Sequence, residues 1–234
     1  MRPEAREAAR EAPPAEATNA VPENALREGA MEGALTAVGR LGYRAASVRA
    51  ILEYSGGHRA QFYRAFESKE DCFEQAYSAW IERLGVNLLQ AAATAPGWTA
   101  AVGAALTNLF EFVGERPFVA RALFVEVHVA GGGALAKHEE AVERLATALD
   151  SGRAQVDPGQ APPETTGIFV VGGIEACVCE ALGAGDPSRI WDHLPELMHF
   201  AVGSYLGKEA AEKELEDAKA FLERRRAELG NEAR

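Results

Sequence analysis

Six cations stand close together in a chain that is otherwise acidic. Residues 40 to 69 carry Arg40, Arg44, Arg49, Arg59, Arg64 and Lys69 against only Glu53 and Glu67, a local charge of +4 (six cations less two acids) in a 234-residue protein of net charge −11. Guanidinium and ammonium groups at that density do one kind of chemistry well: they displace counterions from a polyphosphate backbone. The acidic remainder of the surface would repel the same polyanion. The competing interpretation is a chance cluster on a solvated face.

Other chemistry is thinly represented. Glu126, His128, His138, Glu139, Cys177 and Cys179 could serve a reaction, but no HExxH, GxSxG or glycine-rich phosphate loop is present, and Gly131–Gly133 lacks the following lysine. Cys177 and Cys179 lie two apart on an apolar stretch and so point to different sides of a helix. Cys72 makes the count odd, and no CxxC pair exists, so neither a disulfide framework nor a zinc site is expected. The expectations are no catalytic residues, no metal, no cofactor, and a reducing cytoplasmic setting. No apolar run reaches the ~20 residues of a membrane helix and no signal-peptide core is visible, so no membrane partner is expected.

The elements around the cations explain their spacing. Residues 1–21 are rich in Ala, Glu, Arg and Pro and read as a disordered tail; Arg2, Arg6 and Arg10 could reach a minor groove, but interleaved glutamates argue against it. From Pro22 a helical pattern begins, with Ala30, Met31, Ala34, Leu35, Val38 and Leu41 at spacings of three and four. Gly29, Gly33 and Gly39 interrupt it at a cost on the order of 1 kcal/mol each, so close helix approach must require them. Gly42 stops that helix, and Ser47 is the N-cap of a short helix over 48–54 with Val48, Ile51 and Leu52 inward. Gly56-Gly57 makes a tight turn. A second short helix over 58–65 turns Phe62 and Phe66 inward, and Ser68 caps a longer helix.

Two short helices joined by a glycine turn, behind a third, form a helix-turn-helix, whose second helix enters the major groove while the one before it meets the backbone. Gly42-Tyr43, Ser47-Val48-Arg49, Ile51, Gly56 and above all Phe62-Tyr63-Arg64-Ala65-Phe66-Glu67-Ser68-Lys69-Glu70 resemble the signature of the tetracycline-repressor (TetR) family over about residues 26–75. Tyr205–Ala211 is weakly similar to a common ending of that family. The resemblance implies roles. Arg59 and Gln61 match groove-facing positions of the recognition helix. Ser47, Tyr63 and Lys69 match phosphate contacts, and Arg44, Arg49 and Arg64 add to them. His58 stands where a serine or threonine normally caps the recognition helix, and would cap through its imidazole or meet a phosphate. Gly57 stands where an apolar residue normally plugs the turn, and Leu52 and Tyr54 where small residues are usual, so a looser turn is expected.

The fold class that follows is all-α: a helix-turn-helix domain over 22–72 and a helical ligand-binding and dimerisation domain over 73–230. Breakers divide the latter into helices at about 69–94, 98–114, 117–131, 134–153, 164–183, 187–206 and a charged, solvent-exposed 208–229. The resemblance implies a homodimer on a (pseudo)palindromic double-stranded DNA operator, and a regulator, usually a repressor, modulated by an unidentified small molecule. Broadly apolar helices supply a candidate dimer face in Phe169, Val170, Ile174, Trp191, Leu194 and Met198. A largely apolar ligand pocket is expected from Trp98, Phe110, Phe118, Phe124, Glu126, Val127 and His128. The alternatives are that the aromatics are simply core and that Glu126 and His128 pair with Arg121 or backbone groups. The competing function is a helical sensor whose DNA binding is weakened or lost.

Overall fold

The computed structural model describes residues 23–232, and among these there is no strand. The tail with Arg2, Arg6 and Arg10 lies outside the described residues. The order is α1 (Glu23–Leu41), α2 (Val48–Ser55), α3 (Arg59–Ala65), α4 (Lys69–Ala93), α5 (Trp98–Glu115), α6 (Pro117–Arg121), a π-helical turn (Ala122–Glu126), α7 (Val127–Ala130), α8 (Gly132–Leu149), α9 (Thr166–Gly183), α10 (Leu194–Leu206) and α11 (Lys208–Glu232). Short 3₁₀ turns fill Asp150–Gln155, Pro158–Gln160 and Pro187–His193.

The head is α1–α3 packed on the first turns of α4. Ser47 Oγ accepts from Ala50 N at 3.3 Å and Ser68 Oγ from Asp71 N at 3.1 Å, so each hydroxyl satisfies an orphan donor at its helix start. Gly56 ends α2 at φ +68°, a left-handed position that disfavours other residues. A Cβ at Gly57 would lie 3.4 Å from Leu52 Cδ2. Leu52 therefore supplies from α2 the apolar filling that the turn residue lacks, and the looseness expected of this turn is offset. Ile51, Phe62 and Phe66 are buried. Arg27 stacks on Phe66 at 4.9 Å and donates to Ala65 O at 3.0 Å, closing the end of α3 on α1.

The glycines of α1 are explained by approach. A Cβ at Gly33 would stand 2.7 Å from Ile51 O, and one at Gly39 only 1.9 Å from Phe118 O. Gly33 lets α2 lie against α1, and Gly39 lets α6 do so. Gly29 has open space around it.

At ~1.5 Å per residue α4 runs roughly 37 Å, and it belongs to both parts. Cys72, Phe73 and Tyr77 are buried under the head, and Ile81, Leu84 and Leu88 in the body. Burial pushes the Cys72 thiol up to about 12, so it is a packing residue without thiolate character. The expected helix over 117–131 is broken by the π-helical turn. Gly131–Gly133 serves the start of α8, where Glu74 Oε1 accepts from Gly133 N at 3.0 Å. The last helix is not simply solvated: Ala211, Ala218 and Leu222 are buried, and Arg225 stacks on Trp191 at 3.8 Å. By length and composition α9 is apolar enough to cross a membrane, and a third of it is buried.

Gly39→Ala should cost about 1–3 kcal/mol, because Phe118 O is backbone and cannot swing aside. Urea unfolding reads this, and an unchanged midpoint would contradict the α1–α6 contact.

Candidate nucleic-acid interface and ligand cavity

The outer side of α2 and α3 carries the cations. Arg44, Ser47, Arg49, His58, Arg59, Tyr63 and Arg64 are exposed, and Gln61 is half-buried. Several are already oriented. Arg49 Nε meets Glu53 Oε1 at 3.0 Å, and Arg59 lies 5.5 Å from the Tyr63 ring. Ser47 spends its acceptor on Ala50 N, which leaves its O–H free to donate. His58 caps α3 in a reciprocal box with Gln61, whose Oε1 accepts from His58 N at 3.3 Å, which leaves the Gln61 NH₂ without a partner among the described residues.

Lys69 stands apart from this set. Its Nζ donates to Tyr43 O at 3.0 Å, lies 4.3 Å from the Tyr43 ring centroid and 3.6 Å from Glu70 Oε1. It is a strut that holds the α1–α2 loop at the start of α4. Tyr43 is pinned from the other side too, since its N–H donates to Glu126 Oε2 at 2.8 Å and its ring packs on Phe73 at 5.1 Å.

A cavity of about 350 Å³ opens between α4, α5, α8 and α9. Leu84, Leu88, Leu106, Leu109, Leu145 and Val178 make most of its wall, and no Lys or Arg lines it. Of the residues expected to form a pocket, Trp98 and Phe124 do line it. Trp98 is fixed by Nε1 donating to Leu149 O at 3.0 Å and by Gly152, where a Cβ would be 2.4 Å from Trp98 Cε2.

The others are elsewhere. Phe110 is core against Trp191, with ring centroids 5.4 Å apart, and Val127 is fully buried. Phe118 is on the surface under Arg40, at 3.8 Å. Glu126 is buried but turned to the head, with Arg121 Nη2 at 3.2 Å from its Oε1, so the pairing alternative holds for it. His128 is exposed, its ring 5.2 Å from that of His138.

The cavity's polar pole is a different pair. His138 Nε2 lies 3.0 Å from Glu175 Oε1, and His138 Nδ1 lies 2.9 Å from Tyr77 Oη, which also reaches Leu123 O at 3.2 Å. Burial pushes the Tyr77 phenol far up, with the Glu175 charge adding to it. The sequence held a signal for this pair: Glu175 is the only charged residue between Ile168 and Cys179.

The expected dimer face is mostly turned inward. Val170, Leu194 and Met198 are buried, Ile174 lines the cavity, and Trp191 packs on Phe110 and Phe221. Only Phe169 looks out, at 68% exposure, beside Ile168 and with Phe200 exposed on α10. A helix apolar nearly all round gives no sign of which side is core.

Residues 30–76 match the family described as "Bacterial regulatory proteins, tetR family". The match covers the α1–α4 head and stops at the start of the body. No curated protein matches the sequence. Solved structures of transcription regulators share most of the fold at low identity. The fatty acid degradation regulator FadR from Bacillus halodurans is 14% identical, with 75% of this chain and 97% of that one covered, at TM-score 0.63. FadR from Bacillus subtilis in complex with stearoyl-CoA is 12% identical over 76% and 97%, at 0.59. A TetR family transcription regulator from Marinobacter aquaeolei VT8 is 18% identical over 78% and 96%, at 0.57. In this chain the matched head is tied to the body at Tyr43.

Lys69→Ala should lower stability by about 1–3 kcal/mol, since it removes a charged hydrogen bond that is largely shielded. Arg44→Ala should stay within about 0.5 kcal/mol. Chemical denaturation of the two variants compares them, and equal effects would remove the strut role.

Proposed function

We propose that this chain is a homodimeric, sequence-specific DNA-binding regulator that represses at a (pseudo)palindromic operator and is released by a small, largely apolar ligand. The observation that carries it is a cationic, outward-facing α2–α3 pair, joined through α4 and the π-helical turn to an apolar cavity. Arg59 and the NH₂ of Gln61 suit base edges, as donors to guanine and partners for adenine. Ser47, Tyr63, Arg44, Arg49 and Arg64, with His58 at the helix start, suit phosphates. Lys69 acts by holding Tyr43, and its remaining donors suit a phosphate at the start of α4. A protein of the same fold, FadR of Bacillus subtilis, holds stearoyl-CoA, which supports the apolar class of ligand.

The dimer is proposed on α9 and α10 through Ile168, Phe169 and Phe200, with Gly172 allowing close approach. Exposed aromatic and aliphatic side chains in one patch favour burial against a copy of themselves. A two-fold dimer would present two heads to half-sites a helical turn or a multiple apart. Ligand binding would shift the equilibrium between head spacings.

Footprinting on the DNA upstream of the coding sequence tests this. Two-fold protection is expected, and no binding to any duplex at low salt would overturn the DNA-binding role. Arg59→Ala should relax preference at one base position, costing about 1–3 kcal/mol there. Phe169→Asp should yield monomers in sedimentation and weaken operator binding, whereas an unchanged dimer would move the interface elsewhere.

A further inference from the structure

The cavity and the head are linked by an unbroken series of contacts. Glu175 touches the cavity and binds His138; His138 binds Tyr77; Tyr77 reaches Leu123 O in the π-helical turn; that turn ends at Glu126, which holds Tyr43 N in the head. The turn is a local departure from α-helical geometry, and Tyr77 Oη donates into it at Leu123 O.

The charges at the cavity's pole restrict what can bind there. Glu175 has one oxygen on His138, and its second has no partner among the described residues. Neither Lys nor Arg reaches the wall. A ligand carboxylate would therefore face a carboxylate across a mostly apolar wall with no cation to offset it. A donor would instead complete the free lone pairs of Glu175.

Taking the cavity as the effector site proposed above, we infer that its ligand is an apolar molecule ending in a hydrogen-bond donor, an amine or hydroxyl, that docks on the Glu175 carboxylate. Proton counting shows how docking is felt at the head. Tyr77 has one hydroxyl proton and two acceptors in reach. When His138 carries protons on both nitrogens, Nε2–H donates to Glu175 and Nδ1–H to Tyr77, so Tyr77 donates to Leu123 O. When His138 is neutral, with its one proton on Nε2, Tyr77 must donate to Nδ1 and Leu123 O loses its partner. A ligand donor on the free oxygen of Glu175 offsets the carboxylate charge that favours a doubly protonated His138; the ring then releases its Nδ1 proton to solvent and takes the second arrangement, which loosens the turn that carries Glu126. His128 is a further titratable ring beside His138.

Isothermal titration of the full chain with decylamine, decanol and decanoate tests the inference. Decylamine should bind tightest, decanol next, and decanoate about tenfold or more weaker than the amine, about 1.4 kcal/mol. Ala105→Phe, which fills the cavity, should abolish all binding, and Glu175→Gln should remove the preference for the amine over the carboxylate. Decanoate binding as tightly as decylamine, or a preference that survives Glu175→Gln, overturns the inference while leaving the cavity an effector site. No binding by any of the three, or binding unaffected by Ala105→Phe, overturns the effector site itself. Tyr77→Phe should keep decylamine affinity within about threefold yet lose the ligand-induced change in hydrogen exchange at the Tyr43 amide. A change that persists in that variant removes the Tyr77 leg of the route.

Discussion

A carboxylate removed from water has to be surrounded by donors, and Glu126 satisfies that condition by joining the two halves of the molecule. Its Oε2 takes the Tyr43 N–H from the loop before α2, and its Oε1 takes Arg121 from α6. Left without those partners a buried charge would cost several kcal/mol. The loop that starts α2 is thus committed to one position relative to the body. Lys69 fixes the same loop from the other side through Tyr43 O. The orientation of α2 and α3, and so of every cation on them, depends on this junction.

The junction also explains why helix contacts around it are so close. Gly39 brings α1 onto the backbone of Phe118, and Arg40 lies across the Phe118 ring, with Tyr54 at 5.6 Å on its other flank. These contacts gather the end of α1, α2 and α6 at one place, beside the π-helical turn. A π-helical turn is a local misfit in helix geometry. Here it lies between a cavity-side hydrogen bond at Leu123 and a head-side one at Glu126. A small displacement at either end has few ways to be absorbed in close-packed surroundings.

The body solves a separate problem. Its cavity is walled by aliphatic side chains of α4, α5, α8 and α9, and one end is closed by Trp98, which Gly152 and Leu149 O hold in place. At the pole His138 pairs with one oxygen of Glu175, and Tyr77 meets the other side of the ring. The same α4 that carries Tyr77 is capped by Ser68 in the head, so the cavity wall and the α2–α3 unit share one element.

The helices, their caps and the helix-turn-helix were legible in the sequence because they depend on near neighbours. Ser47, Ser68 and Gly56 act within a turn of themselves, and Phe62-Tyr63 through Glu70 lies in the segment that matches the tetR family model. Tertiary structure alone decided where partly polar and broadly apolar segments point. Glu126 and Glu175 are both lone acids in apolar surroundings, and nothing local distinguishes the one that faces the head from the one that faces the cavity. Val170 and Phe169 are adjacent and both apolar, yet one is buried and the other exposed on α9. Lys69 looks like a free cation until Tyr43, 26 residues earlier, is folded against it. Local pattern determines which residues form a helix; contacts distant in the chain determine which face is buried and what each buried charge must meet.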